Sequence, residues 1–440
     1  MIKTAKFGGS SLAQAAQFRK VAQIVKSDPA RRYIVASAPG KRSSDDIKIT
    51  DLLYQCYRLA SEKRPIDEVF AQIEQRYDDI VQELGLDMSL TQEYAKIKLA
   101  IDHHAGEDYV ASRGEYLNAM ILARYLDYTF VDAESGIFFK ENGTFDEKRT
   151  YAALGEILRR TERAVVPGFY GRMPNGTIKT FTRGGGDITG AIVARSVYAD
   201  LYENWTDVSG MLMADPRIVP NPKVIEEITY RELRELSYMG ASVMHEEAVF
   251  PVQEANIPVN IRNTNAPADP GTMIVPSSNK IDVDTVITGV AGRKGFSSIT
   301  VDKARMNSEV GFGRKVLSVL EDLDLCFEHI PSGIDTMSIV VATAAIAPYK
   351  DTITARIFRD TKADTVEIED GIALVSVVGR GMVRAKGTAA RIFSATARQG
   401  INIRMIDQFA GEKHIILGVD EADYELTLQT IYNEFVREGR

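Results

Sequence analysis

The sequence predicts an α/β fold in which one large domain is followed by two copies of a smaller unit. The chain opens with a strand, a glycine turn and a helix that lead into a second strand at Tyr33–Ala36, which together form a β-α-β unit. Near the C-terminus, the strand Ile299–Asp302 recurs as Val375–Val378. Each copy continues as helix, strand, strand and helix, so we expect two ferredoxin-like βαββαβ units.

Composition excludes several classes of protein. A chain of 440 residues is long enough for two to four domains. With 45% hydrophobic and 26% charged residues it is typical of a globular protein, and no apolar run approaches the ~18 residues of a membrane span. The net charge of −8 argues against nucleic-acid binding and favours small-molecule chemistry. Cys56 and Cys326 lack metal-ligand spacing, and no leader precedes the first strand, so we expect a cytoplasmic protein without a metal cage.

The first strand ends in the motif Lys6-Phe7-Gly8-Gly9-Ser10-Ser11, which precedes a helix expected to begin near Leu12. Glycines allow a backbone to approach an anion, and a helix N-terminus presents free N–H groups. A lysine at the strand end adds positive charge. The motif therefore indicates a phosphate cradle, although a tight turn beside a solvated lysine fits the same residues.

Three further candidate positions follow. Ser37-Ala38-Pro39-Gly40 ends the second strand, where open α/β sheets bind ligands, although most Pro-Gly pairs are only turns. Thr50-Asp51 is expected to cap a helix that starts at Leu52. Glu115 precedes a helix predicted over Tyr116–Leu126, and a lone glutamate there is ordinarily a solvated first-turn carboxylate.

The segment Thr182–Asp187 contains three consecutive glycines before a helix predicted over Ile188–Val197. Asp187 is a reasonable N-cap for that helix. Three glycines cost chain entropy, however, and exceed what a turn requires. Arg183 in front of them suits bidentate capture of a carboxylate or phosphate.

The proline-rich and serine-rich segment Asn263–Asp282 predicts a domain boundary. We therefore expect a first domain over residues 1–278 and the two repeats over 285–370 and 371–440, with the strand near 286–290 a candidate to pair with the second repeat. The repeats contain no evident nucleophile, base or metal cluster, which favours binding or assembly modules. The methionines in them are expected to fill the core.

Taken together, these motifs resemble those of the aspartokinases, in the amino acid kinase family. The resemblance is carried by Lys6–Ser11, Arg113-Gly114-Glu115, Phe181–Asp187, Trp205-Thr206-Asp207-Val208 and the C-terminal repeat, in the family's order along essentially the whole chain. It implies an amino acid kinase-like three-layer α/β/α domain followed by two ACT domains. It also implies ATP-dependent phosphorylation of the L-aspartate side chain to 4-phospho-L-aspartate, the first step toward lysine, threonine and methionine.

The same resemblance implies cofactors, partners and regulation. ATP would be used with Mg²⁺, which bridges phosphates and keeps several waters rather than occupying a protein cage. An amino acid, lysine or threonine, would bind at the ACT domains and regulate the enzyme, with lysine preferred. Pairing of ACT domains would give a homodimer or a tetramer. No second catalytic domain follows the repeats, so we expect a monofunctional enzyme without nucleic-acid or membrane partners.

The resemblance also assigns roles to residues. The catalytic pair would be Lys6 and Asp187. The ATP-binding residues would be Lys6, Gly8, Gly9, Ser10, Thr206, Asp207 and Arg217. The residues that bind aspartate would be Ser37, Thr50, Glu115, Phe169, Arg183 and Gly186, with Arg183 on the α-carboxylate and Glu115 on the ammonium group. The effector would contact Met306, Gly311, Phe312, Glu328 and Ser332.

Three positions depart from the family pattern. Ser242 stands where many relatives have a phosphate-binding lysine, Leu212 where an aromatic residue is common, and Gly186 where serine is common. Two other functions remain open: a different amino acid kinase, or a non-catalytic amino acid sensor. The presence of both Lys6 and Asp187 favours catalysis, since a scaffold needs neither. The P-loop, GxGxxG and HExxH motifs do not occur.

Overall fold

The chain divides into two compact units. In the computed structural model, residues 1–182, 184–241, 244, 246–278, 286–408 and 414–436 are described, without the side chains of 246 and 247. The first unit comprises Met1–Met211, Val224–Tyr230 and Val243–Ser278. The second comprises Leu212–Lys223, Arg231–Ser242 and Asn279–Arg440. Two segments from before position 278 therefore fold with the C-terminal part of the chain.

The first unit is built on an eight-stranded sheet of short, apolar strands. Its strands and those of a small hairpin are β1 (Lys3–Phe7), β2 (Arg31–Ala36), β3 (Thr129–Phe130), β4 (Ala164–Pro167), β5 (Tyr170–Arg172), β6 (Ile178–Thr180), β7 (Leu201–Thr206), β8 (Glu227–Thr229), β9 (Val259–Asn263) and β10 (Thr272–Val275). The sheet order is β3-β4-β2-β1-β7-β9-β10-β8, and β5 pairs with β6. All neighbours in the sheet are parallel except β9 and β10.

Helices cover both faces of this sheet, which gives three layers. They are α1 (Ala15–Lys26), α2 (Ile49–Ser61), α3 (Asp67–Leu84), α4 (Thr91–Asp102), α5 (Glu107–Leu126), α6 (Glu147–Arg159), α7 (Gly185–Ser196) and α9 (Glu246–Glu254). Helix α8 (Tyr230–Tyr238) belongs to the second unit except for its first residue. Helices α1 to α5 share one apolar core with the sheet. Helix α7 packs on β1, β2 and β7 together with α6 and α9. Residues 33–36 of β2 and all of β4 are buried and continuously apolar, as expected for strands that are covered on both faces.

The second unit is built on a five-stranded antiparallel sheet. Its elements are β11 (Gly289–Asp302), α10 (Phe312–Glu321), β12 (Thr336–Ala342), α11 (Thr343–Ile346), α12 (Lys350–Thr361), β13 (Thr365–Val378), α13 (Thr388–Arg398), β14 (Ile403–Gln408), β15 (His414–Asp420) and α14 (Tyr424–Val436). The sheet order is β12-β11-β13-β15-β14.

The two repeats share the long strands β11 and β13 of this sheet. Within β11, residues 296–302 pair with β12. Within β13, residues 372–378 pair with β15. The pairing of β11 with β13 is interrupted by register shifts between Arg293 and Ser298. Each long strand therefore contributes one half to the first repeat and the other half to the second.

The sequence predicted the class of most elements but misplaced several of their ends. The apolar spacing of residues 65–84 predicts a long amphipathic helix, and α3 (Asp67–Leu84) occupies almost all of that range. Helix α1 begins at Ala15 rather than near Leu12, because Gly9–Leu12 forms a 3-10 turn first. Helix α2 begins at Ile49 with Lys48 as N-cap, so Thr50-Asp51 lies inside the first turn and the predicted cap was wrong.

Two other predictions of secondary structure were wrong in part. The sequence of residues 228–249 predicts a helix with a break at Met239-Gly240, but Ile228 lies fully buried in β8, where pairing with β10 extends the sheet. In the first repeat, the apolar residues around Leu325–Ile330 do not form a regular strand. That region contributes only isolated bridges, between His329 and Val340 and between Ser332 and Met337.

Candidate functional site

A cavity of about 580 Å³ lies in the first unit where β1 and β2 end. Parallel neighbours place their carboxyl ends at the same edge of the sheet, so the loops after these strands meet there. The cavity is lined by Gly9, Ser10, Ser37, Ala38, Pro39, Gly40, Lys41, Arg42, Ser43, Lys48, Thr50, Glu115 and Asp207. The structure thus brings together six of the residues that the sequence singled out: Gly9, Ser10, Ser37, Thr50, Glu115 and Asp207.

Lys6 and Asp187 form an ion pair at the end of β1. Lys6 Nζ lies 2.5 Å from Asp187 Oδ1, and both side chains are largely buried. Asn204, which pairs with Lys6 on the neighbouring strand β7, connects the two: its Oδ1 accepts from Lys6 Nζ at 3.3 Å, and its Nδ2 donates to Asp187 Oδ1 at 3.1 Å. The alternative of a solvated edge lysine is therefore wrong.

Asp187 does not cap α7. The helix begins at Gly185, and its N-cap is Gly184 in the left-handed region with φ of 71°. Asp187 is consequently the third residue of the helix, and its carboxylate points to Lys6 instead of to free N–H groups. The glycines let the helix begin earlier than the apolar pattern predicted.

The glycine loop after β1 packs directly on the loop after β2. The amide of Gly40 donates to the carbonyl of Gly9 at 2.9 Å. A Cβ on Gly9 would lie 2.9 Å from the carbonyl oxygen of Ala38 and 3.2 Å from the Gly40 nitrogen, so glycine is required by this close approach. Gly8 donates its amide to the Trp205 carbonyl at 3.0 Å, which holds the loop on β7 as well.

Glu115 is a buried carboxyl group inside α5, which begins at Glu107. The expectation of a solvated first-turn carboxylate was wrong, because the helix starts two turns earlier. Burial raises the pKa of Glu115 to about 8, against the lowering effect of the Ala38 amide that donates to it. Its Oε2 has no hydrogen-bond partner among the described residues. A buried polar atom without a partner, on the wall of a cavity, marks a ligand position.

Gly186 connects Ser37 with the Lys6 side chain, and Phe169 packs against the start of α7. Gly186, in the first turn of α7, lies against both the Ser37 hydroxyl and the Lys6 side chain. Phe169 has φ of 82°, a conformation uncommon for an aromatic residue. Its amide donates to Thr189 Oγ1 at 3.0 Å, which ties it to α7.

The remaining predicted residues lie elsewhere. Thr206 ends β7, and its hydroxyl donates to Asp207 at 3.2 Å. Arg217 belongs to the second unit, where it is exposed and bonded to Asp215. Leu212 also belongs to the second unit. Arg183 and Ser242 lie outside the described residues.

Sequence reasoning missed Asn204 and the basic segment after Pro39-Gly40. Lys41, Arg42 and Lys48 line the cavity, and Lys41-Arg42 directly follows a predicted ligand turn. The position of these basic residues next to a predicted ligand turn could have indicated from the sequence that they line the site. Asn204, in contrast, sits inside an apolar strand, and only the pairing of β7 with β1 places it beside Lys6.

The predicted effector residues all lie in the first repeat of the second unit. Met306 and Phe312 are buried in its core, whereas Gly311 and Ser332 are exposed. Gly311 is the N-cap of α10. Glu328 is partly exposed and accepts a hydrogen bond from the Tyr238 hydroxyl. Within the ranges that the structure describes, no group of three or more potential metal ligands occurs, and no helix combines the length and apolarity needed to cross a membrane.

Comparison with known proteins gives consistent matches along the chain. The model of the amino acid kinase family matches residues 1–263, and a model of the ACT domain matches residues 375–435. The chain is 41% identical to aspartokinase 3 of Bacillus subtilis, over 99% of this chain and 98% of that one. It is 27% identical to the lysine-sensitive aspartokinase 3 of Escherichia coli, over 98% of each. The crystal structure of Clostridium acetobutylicum aspartate kinase superposes with a TM-score of 0.89 at 51% identity, over 99% of both chains.

Proposed function

Because the chain belongs to the amino acid kinase family, as an aspartate kinase with a C-terminal ACT region, we propose that it transfers the γ-phosphoryl group of ATP to the side-chain carboxylate of L-aspartate. The product is 4-phospho-L-aspartate, at the first step toward lysine, threonine and methionine. The observation that supports this proposal best is the buried Lys6–Asp187–Asn204 cluster beside the glycine loop.

Lys6 stabilises the phosphoryl group during transfer. The acceptor carboxylate is ionised at neutral pH, so the reaction needs no general base. Catalysis then consists of positioning and of neutralising charge on the transferring group. Asp187 and Asn204 hold the Lys6 ammonium group at the end of β1, while Gly9 and Ser10 supply backbone amides to the phosphates. The Gly8 amide already donates to the Trp205 carbonyl, so Gly8 contributes only a close approach of the backbone to the phosphates.

Glu115 binds the ammonium group of aspartate. Its buried Oε2 has no hydrogen-bond partner in the described part of the chain, and an ammonium group is the complement that would restore the charge of this carboxyl group. Ser37 and Thr50 line the same cavity, and Gly186 lies against the Ser37 hydroxyl. The resemblance to the family assigns Phe169 to the aspartate pocket as well. Arg183 receives the α-carboxylate in this proposal, as the resemblance to the family implies.

Mg²⁺ accompanies ATP and neutralises part of the phosphate charge. Mg²⁺ ordinarily keeps several waters and takes one or two carboxylates, so the site fits it without a group of three protein ligands. Asp207 is an exposed carboxylate on the cavity wall that could contribute one ligand. Thr206 and Asp207 contact the nucleotide, and Arg217 is assigned to it by the resemblance.

Regulation occurs at the ACT region. We infer that lysine is the effector, since the Escherichia coli relative is named lysine-sensitive, and that Met306, Gly311, Phe312, Glu328 and Ser332 form its site. Binding would act by favouring one of two subunit arrangements. ACT pairing between copies would give a homodimer or a tetramer.

The test is ATP consumption with L-aspartate, with L-glutamate and without acceptor, each with and without lysine and threonine. We expect turnover with aspartate alone, lowered by lysine. Turnover with glutamate instead would identify another amino acid kinase. Absence of turnover with every acceptor, together with lysine binding, would favour a non-catalytic sensor.

A further inference from the structure

The segment 41–48, between β2 and α2, brings positive charge to the cavity. Lys41, Arg42 and Lys48 all line it, together with the glycine loop residues Gly9 and Ser10. The segment lies at the carboxyl end of β2, next to the end of β1 that presents Lys6. It therefore faces the place where the proposed function puts phosphates.

A charge inventory of the cavity distinguishes these cations. Lys6 is already paired with Asp187 at 2.5 Å. Arg42 is paired with Asp46 at 3.0 Å. Lys41 and Lys48, in contrast, form no ion pair within the described part of the chain, and Lys41 Nζ donates only to the Ser44 carbonyl at 3.3 Å. Lys41 and Lys48 are therefore the cations of the described cavity wall that are not engaged in an ion pair, on a wall that also carries Glu115 and Asp207.

A buried arginine holds this segment in place. Arg76 on α3 is only 5% exposed. Its Nη2 donates to both carboxylate oxygens of Asp46 at 2.7 and 2.8 Å, and its Nη1 donates to the Gly40 carbonyl at 3.2 Å. Burial of a guanidinium group costs free energy that such an arrangement must offset. The result is a rigid connection from the helical layer to both ends of the turn that contains Lys41.

We propose that segment 41–48 is a second phosphate-binding element of the active site, in which Lys41 and Lys48 bind oxygens of the γ-phosphoryl group and Arg76 positions the segment through Asp46 and Gly40. This proposal rests on the proposed function and adds to the charge that Lys6 provides. A polyanionic nucleotide needs more cations than the neutralised Lys6–Asp187 pair offers. Lysine is a flexible point charge, which suits a group that moves during transfer.

The first experiment measures ATP turnover of Lys41→Met, Lys48→Met and the double variant. A charged hydrogen bond contributes roughly 1.5–3 kcal/mol, so we expect kcat/KM for ATP to fall about tenfold or more for each lysine. Lys26→Met is the matched control, because Lys26 is an exposed lysine on α1 outside the cavity. A double variant within twofold of this control would overturn the proposal.

Nucleotide titration without an acceptor separates this inference from the proposed function. Binding to the γ-phosphoryl group predicts that the double variant loses more affinity for ATP than for ADP. Equal losses for the two nucleotides, or none, would overturn the assignment to the γ-phosphoryl group. Because no acceptor is present, the outcome stands even if aspartate turns out to be the wrong substrate.

The role of Arg76 is tested by a double-mutant cycle. If Arg76 acts by positioning the segment, Arg76→Lys lowers kcat/KM for ATP, and Lys48→Met then costs less in that background than in the wild type. Asp46→Asn, which loosens the same connection without altering α3, is expected to behave likewise. Thermal unfolding identifies a temperature at which each variant is folded. Strictly additive losses there would show that Arg76 is structural only.

Discussion

Two buried glutamates in the first unit, Glu203 and Glu115, differ in how far the protein itself satisfies their carboxyl groups. Glu203 on β7 is fully buried. Its carboxylate oxygens accept hydrogen bonds from Arg31 Nε at 2.6 Å, from Arg31 Nη2 at 3.2 Å and from Trp205 Nε1 at 2.9 Å. Lys3 approaches it at 3.5 Å. Glu115 on α5 is buried to a similar degree, but its Oε2 has no partner within the described residues.

The difference separates a structural charge from a functional one. The Glu203 cluster satisfies its acceptor capacity within the protein, so it has nothing to offer a ligand. Glu115 and the Lys6–Asp187 pair can still form hydrogen bonds or ion pairs with a ligand. Leaving such groups unsatisfied lowers stability, and a bound ligand restores the missing interactions. Substitutions in the first cluster should therefore change stability, and substitutions in the second should change activity.

The largest effect is expected for Lys6→Ala. Removing a preorganised group that stabilises transition-state charge lowers turnover on the order of 10²–10³-fold. The free energy of unfolding should change little, because Asp187 keeps Asn204 as a partner and is partly exposed. Steady-state kinetics and urea denaturation measure the two quantities on one preparation. Near-normal turnover would refute the catalytic role.

The converse effect is expected for Glu203→Gln. Removing one partner of a buried ion pair leaves Arg31 uncompensated and should lower the free energy of unfolding by about 3 kcal/mol. The kcat of the folded fraction should remain that of the wild type, since Glu203 does not line the cavity. Urea denaturation and assays at low temperature test this. A variant of normal stability but low kcat would reverse the distinction between the two clusters.

The sequence contained the glycine loop, the Arg183–Asp187 loop and the repeats, because each is local along the chain. It misplaced Glu115, since the helix was predicted to begin only at Tyr116 whereas α5 begins at Glu107. Gly114 lies inside α5, where a Cβ would come 2.9 Å from the Ala38 Cβ, and that reason for glycine is tertiary. The roles of Asn204 and Arg76 could not be predicted for the same reason. The role of Asn204 depends on strand pairing, and that of Arg76 depends on packing between elements that are distant in sequence.

The pH dependence of Glu115 sharpens the comparison further. Its pKa is raised from 4.5 to about 8, so between these values the folded chain keeps a proton that the unfolded chain has lost. The stability that Glu115 contributes through this proton is fully present below pH 4.5. As pH rises from 4.5 toward 8, the free energy of unfolding falls by up to about 1.4 kcal/mol per pH unit. Glu115→Gln should remove this slope, measured as urea unfolding at several pH values. An unchanged slope would assign the pH dependence to other groups.

The smallest effect is expected for Glu328→Ala, a third kind of carboxylate in the second unit. Glu328 is partly exposed and receives one side-chain hydrogen bond, from Tyr238, so it retains capacity without being buried. As an exposed ligand for an ammonium group it should contribute modestly, and its loss should weaken lysine inhibition about tenfold, the lower end for a charged hydrogen bond. Turnover without lysine should stay unchanged. Inhibition curves for wild type, Glu328→Ala and the neighbouring surface variant Glu321→Ala make the comparison. Equal inhibition curves for all three proteins would show that lysine does not bind at Glu328. In that case only the first unit would use a carboxylate with unused hydrogen-bonding capacity to bind a ligand.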